Sequence, residues 1–161
     1  MSLEQRLSDL GLELPATAAP GANYAAVVVH GDVAQVSGQL PRVGDRVVVA
    51  GKLGRDVAIA DAQEGARIAL LRGLAALRDE LGGLARVRQI LKLTVYVNSA
   101  EDFVDHSRVA DGASTLIYEL FGADLGRHAR TSVGVAQLPR NGCVELDLVV
   151  ALDGGRTRDG A

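Results

Sequence analysis

The most regular alternation of apolar and polar positions lies between Val87 and Asn98. There Leu91, Leu93, Val95 and Val97 alternate with Lys92, Thr94 and Tyr96. A period of two predicts a strand with one buried face. The alternation returns near the C-terminus, where Val144, Leu146, Leu148, Val150 and Leu152 share one face and Glu145 and Asp147 lie opposite. Just before it, Arg130, Ser132, Gly134 and Ala136 fall on one face of a further strand, and Val133 and Val135 on the other. Leu138-Pro139 and a turn near Asn141-Gly142 join the two strands. Towards the N-terminus, AAVVVH and VAQVSGQLP flank Gly31-Asp32, the signature of a hairpin. A third short strand is expected over residues 46–50, ending at Gly51.

Helical periodicity appears in three places. Over residues 61–81 the stripe Ala62, Ala66, Ala69, Leu70, Gly73, Leu74, Leu77 and Leu81 predicts a long amphipathic helix. Asp61 is its expected cap, with Glu64 three residues on, and Gly82 its stop. A second helix over residues 110–121 would bury Leu116, Ile117, Leu120 and Phe121. Ser2 and Gln5 fit a capping box before Leu3, Leu7 and Leu10, so a short N-terminal helix is expected. The chain thus divides into an N-terminal helix with a proline-containing linker (1–22), one α+β domain (23–152) and a tail expected to be disordered (153–161). The order β-β-β-α-β-α-β-β predicts a mixed six-stranded sheet with two helices on one face. The other face is neither charged enough for water nor apolar enough for a core. Burial between subunits of a symmetric oligomer resolves that mismatch.

Composition narrows the function. At 161 residues and 48% hydrophobic, the chain is one domain's worth with a real core. Aromatics are 3% and Trp is absent, so stacking platforms for bases are scarce. A formal charge of −3 gives no footprint for a polyanion, which argues against nucleic acid as the main partner. Cys143 is the only cysteine, which excludes an intramolecular disulfide and a cysteine-cluster metal site. His30, His106 and His128 have no metal-ligand spacing. The charged start has no signal-peptide core and no apolar run is long enough to span a bilayer, so a soluble cytoplasmic protein without cofactor or metal is the expectation.

Several stretches together resemble the RidA/YjgF family of reactive intermediate deaminases, also known as L-PSP endoribonucleases. They are Val36-Ser37-Gly38-Gln39-Leu40-Pro41, the strand through Leu93 and Val97 followed by Asp102-Phe103, and Ala129-Arg130 through Leu138-Pro139 to Val144-Glu145-Leu146-Asp147. The N-terminal helix and the long connection before Asp61 look like a longer-chain subgroup. The resemblance implies a chorismate-mutase-like fold in a homotrimer, with open sheet faces forming an inner barrel and clefts between subunits. It also implies hydrolysis of enamine or imine intermediates, such as 2-aminoacrylate, to 2-keto acids and ammonia.

The resemblance assigns roles residue by residue, and each has a plainer alternative. Arg130 matches the substrate-binding arginine, whose planar fork can hold a carboxylate bidentately. Its alternative is a structural ion pair with Glu145 or Asp147. Glu145 matches an acid that orients water or moves a proton, or else it simply neutralises Arg130. Tyr24 matches a tyrosine bordering the cleft, or is a surface residue. Gly38 permits close backbone approach to a ligand, or marks a β-bulge. Ser114 stands where short members carry an asparagine, and Ser132 where they carry a cysteine; both are expected to line the substrate site. His128 is expected in a solvent-facing loop, with a place beside Arg130 as the alternative. Besides the deaminase reading stand a non-catalytic module that binds or senses a small carboxylate, and an RNA-acting role that the charge and the sparse aromatics disfavour.

Overall fold

The computed structural model describes residues 2–17 and 23–154. Most of the tail (155–161) and part of the linker (18–22) lie outside the described residues. Among the described residues three helices and seven strands shape the domain: α1 (Leu3–Asp9), β1 (Val27–His30), β2 (Val33–Gln39), the ribbon β3 (Arg42–Val43) and β4 (Arg46–Val47), α2 (Ile59–Leu81), β5 (Val87–Asn98), α3 (His106–Leu125), β6 (Ala129–Val135) and β7 (Val144–Leu152).

The main sheet has five strands in the order β1-β2-β7-β5-β6, not six. β5 and β6 run parallel and the other pairs antiparallel. The expected third strand does not join it because the segment is divided between two partners. Its first residues fold back on β3 across a left-handed Gly44 (φ +58°), and Ala50 bridges to Gly142 instead. The hairpin at Gly31-Asp32 forms as expected, with His30 opposite Val33.

The helices α2 and α3 cover one sheet face, and α1 packs on α3. The buried core between them takes Leu70, Leu74 and Leu77 from α2, Leu116 and Ile117 from α3, and Leu93, Val95, Leu146 and Leu148 from the sheet. Where α2 and α3 cross, a Cβ at Gly112 would sit 2.3 Å from the Gln63 carbonyl oxygen. Only glycine lets the two backbones come this close. That contact sets the height of α3 above β6.

Helix boundaries differ from expectation at polar ends. α2 begins at Ile59, with Ala58 rather than Asp61 at the cap, and Asp61 lies in the first turn, where a carboxylate complements the helix dipole. Gly82 terminates it in a left-handed conformation (φ +72°). α3 starts a full turn early, at His106, because its first turn is polar and carries no apolar stripe; regular dihedrals lapse at Gly122 (φ +76°). The tail is anchored at its start: the Asp153 amide donates to the Arg86 carbonyl at 2.8 Å, and its carboxylate pairs with Arg88 at 2.9 Å.

At α1 the Ser2 hydroxyl accepts from the Gln5 amide at 3.1 Å, while the Gln5 side chain turns to Asp9 rather than completing a capping box. Leu7 is buried, but Leu10 falls beyond the helix and is exposed. Glu4 docks the helix on the turn before β5, its Oε1 accepting from the Leu84 amide at 2.7 Å. Partial burial opposes ionisation of Glu4, but backbone hydrogen bonds and Ser2 hold its pKa below the ordinary 4.5. Replacing Glu4 by Ala orphans the amide of buried Leu84 and is expected to cost about 1 kcal/mol, or about 3 °C in Tm. Because folding depresses this pKa, the gap between wild type and variant is full above 4.5 and closes as pH falls through the lowered value. Thermal melts of both proteins across that range check it; a gap that does not change with pH refutes the assignment.

Candidate functional site

β5 distributes the polar residues between the two faces of the sheet. Leu93 pairs with Arg130 on one side and Leu148 on the other, and Val95 with Ser132 and Leu146. Arg130 and Ser132 therefore share the helix-covered face with the leucine stripe of β7. Tyr96 pairs with Val133 and Glu145, so these residues lie on the open face. The expectation that Arg130 would meet Glu145 or Asp147 on one face is incorrect. In edge strand β6 the valines Val133 and Val135 do not mark the core face, since hydrogen-bond register overrides the apolar pattern.

On the helix side, Arg130 reaches α3. Its Nη1 donates to Asp111 Oδ1 at 2.8 Å and to Ser114 Oγ at 3.1 Å. This ion pair replaces the one considered with Glu145 or Asp147. Among the described residues both bonds leave from Nη1, so the Nε–Nη2 edge, the bidentate one, is uncommitted. The Ser114 hydroxyl also lies 2.9 Å from His128 Nε2, and His128 Nδ1 lies 2.7 Å from the Gly126 carbonyl. The His128 ring leans on Tyr118, with centroids 5.8 Å apart. His128 is thus half-buried and bonded, not a solvent-facing loop residue. Ser132 is half-buried with its hydroxyl 3.4 Å from that of Ser107.

Asp111, which holds Arg130, is not among the candidate residues expected from the sequence. The signal was there: Ser107, Asp111 and Ser114 follow the i, i+4, i+7 spacing of one helix face. A helix expected over residues 110–121 holds Asp111 and Ser114 but leaves out Ser107, so that face is only partly visible.

The other half lies across the sheet. Tyr24, Gln35, Ser37, Gly38, Glu145 and Asp147 line a cavity of about 720 Å³ at the β2–β7 junction. The β2–β7 register shifts between Val36 and Gln39, so Gly38 does occupy a bulge. A Cβ there would stand 2.1 Å from Glu145 Oε1, which makes Gly38 the seat of this carboxylate. Burial, then the charge of Asp147, pushes the Glu145 pKa above the ordinary value. Asp147 accepts from the Tyr96 hydroxyl at 3.0 Å. A carboxyl displaced towards neutral pH is suited to giving and taking a proton. Tyr24 borders the cavity and is 59% exposed, so within one chain it covers nothing.

Elsewhere, burial pushes the Cys143 thiol up to about 12, which leaves it inert. No group of three or more metal-ligating side chains occurs among the described residues. No described helix is long and apolar enough to cross a membrane.

A family model for YjgF/chorismate mutase-like proteins matches residues 4–152. The chain belongs to that family. Protein TCP17 of Trypanosoma cruzi is 44% identical over 147 residues, covering 91% of this chain and 92% of the relative. A candidate endoribonuclease from Shewanella oneidensis is 33% identical with a TM-score of 0.88, covering 94% of this chain and all of the other (100%). TdcF from E. coli, solved with bound serine, is 25% identical with a TM-score of 0.57, covering 86% of this chain and 98% of its own. The expected α+β, chorismate-mutase-like fold is therefore the fold of this chain.

Replacing Asp147 by Asn removes a neighbouring negative charge and should lower the Glu145 pKa. Because burial is the larger cause, the value should stay above 4.5. Carbon-detected NMR titration of the Glu145 carboxyl checks both points, and an unchanged titration would contradict the pairing.

Proposed function

We propose that this protein hydrolyses reactive 2-imino acids to 2-keto acids and ammonia in clefts between subunits. Each cleft pairs Arg130 of one subunit with Glu145 of the partner subunit. The observation that carries this reading is the free Nε–Nη2 edge of Arg130, held in place by α3 through Nη1. It is a ready fork for a carboxylate. The complementary acid sits on the opposite sheet face of the same chain, so a second copy must supply it. The open face supports such a copy: Val28 and Val133 are exposed there among Lys92, Thr94, Tyr96 and Asp147, a mixture suited to an interface rather than to water. A homotrimer, the assembly that the family resemblance implies, is the proposed oligomer.

The chemistry is modest. The imine carbon is already electrophilic, so fixing its carboxylate on Arg130 and a water beside Glu145 supplies most of the need. Glu145 takes a proton from the water as the C–O bond forms, then returns it to the nitrogen of the carbinolamine. As the C–N bond breaks, Glu145 relays the hydroxyl proton to the nitrogen, so ammonia leaves and the ketone forms. The raised Glu145 pKa eases the return step. Tyr24 would close the cleft from the acid side, and Ser114 and Ser132 would shape the anchor side.

The serine bound to TdcF favours a small carboxylate ligand in this family and also suits a second reading, binding without turnover. An RNA-acting role fits less well with a charge of −3 and 3% aromatics. Arg130→Ala should reduce keto-acid formation from imines generated by amino-acid oxidase by about two orders of magnitude, with fold and oligomer unchanged. Glu145→Gln should lower kcat with little change in KM. Mixed oligomers of the two variants should recover activity, since some clefts then regain both groups. Full activity of Arg130→Ala ends the proposal, and saturable 2-ketobutyrate binding without any turnover favours the binding module.

A further inference from the structure

We infer that His128 is a positioning residue that sets the carboxylate anchor through the Ser114 hydroxyl. The inference rests on the reading of Arg130 as that anchor. The Gly126 carbonyl can only accept, so His128 Nδ1, 2.7 Å away, carries the hydrogen. In the neutral ring Nε2 is then the acceptor. The Ser114 hydroxyl, 2.9 Å from it, must donate there, which turns an oxygen lone pair to Arg130 Nη1 at 3.1 Å. The chain of donors runs from Arg130 to Ser114 to His128 to Gly126, and each step fixes the next.

A serine hydroxyl left alone would rotate and would as readily donate to Asp111 or to water. A rotating hydroxyl holds Nη1 weakly. Asp111, 54% exposed, would then pull the guanidinium alone, and the Nε–Nη2 edge would lose its aim. An asparagine presents a fixed carbonyl by itself; a serine needs a second residue to fix its orientation. His128, seated against Tyr118, meets that need.

The test exploits amide geometry. An asparagine amide reaches about as far as ring Nδ1, so His128→Asn keeps the bond to Gly126 but offers Ser114 nothing. A glutamine amide oxygen reaches about as far as Nε2, so His128→Gln keeps the acceptor. The probe is 2-ketobutyrate, whose Kd is measured by calorimetry on the purified oligomer, alongside KM and kcat for imine hydrolysis. His128→Asn and Ser114→Ala should each weaken binding and raise KM about fivefold to tenfold, with kcat and Tm close to wild type. His128→Gln should restore wild-type affinity. The double variant Ser114→Ala/His128→Asn should bind no worse than either alone, as expected of one coupled unit.

Arg130→Ala serves as the reference. If it abolishes 2-ketobutyrate binding while His128→Asn binds like wild type, the anchor stands and the role of His128 is overturned. His128→Gln as weak as His128→Asn overturns it too, because the acceptor is then not what matters. If Arg130→Ala itself binds normally, the anchor reading fails, and this inference with it.

Discussion

The position of β5 between a parallel and an antiparallel neighbour is the constraint on which the rest of the site depends. Leu93 is fully buried, with Arg130 on one side and Leu148 on the other. A slip of one residue in the β5–β6 register would turn Arg130 to the open face and Val133 into α3. The core forbids it, since Val95 and Val97 are also fully buried and pair outward with Ser132 and Gly134. The guanidinium is delivered beneath α3 because burying the leucine and valine stripe of β5 is worth far more than any single polar contact.

Two further devices make that delivery exact enough to use. The close approach of Gly112 to Gln63 brings α3 down until Asp111 and Ser114 reach Nη1. On the other side, Asn98 is wholly buried at the end of β5 and holds the turn that launches β7. Its amide donates to Asn141 Oδ1 and the Gly142 carbonyl, and its oxygen accepts from Lys52 Nζ at 2.6 Å. Arg140 and Asn141 keep left-handed dihedrals (φ +54° and +57°) in that turn, a strained arrangement that the hydrogen bonds of Asn98 stabilise. The register of Glu145 follows from the way this turn ends. Both halves of the proposed site thus hang from opposite edges of the same central strand.

Much of the fold was legible because it follows from burial. The bounds of β5 and β7, the Gly31-Asp32 hairpin and the glycine end of α2 are all written in apolar spacing or in a residue that tolerates left-handed backbone. What was not legible lay where burial is weak. Val133 and Val135 in β6 look like a core face, yet β6 is an edge strand, and only pairing with β5 decides which side faces α3. The polar first turn of α3 carries no stripe, so its start was hidden, and with it the place of Ser107 on the face of Asp111 and Ser114. Of the candidate residues, Arg130, Ser114 and Ser132 do come together under α3, and Tyr24, Gly38 and Glu145 come together on the far side. No local pattern could have told that these are two groups and not one.

The separation has a physical advantage. An arginine and a glutamate placed together on one face would pair with each other, and a ligand carboxylate would have to break that pair before binding. Here Asp111 takes only Nη1, leaving the bidentate edge open, while Glu145 lies on the opposite face of the sheet from Arg130 and is raised in pKa by burial and by Asp147. The guanidinium edge stays uncommitted, and the buried carboxyl keeps its raised pKa. A single chain can prepare both groups in these opposite states only because it keeps them apart, and under the proposed function the consequence is that a second copy must supply the half that each cleft lacks.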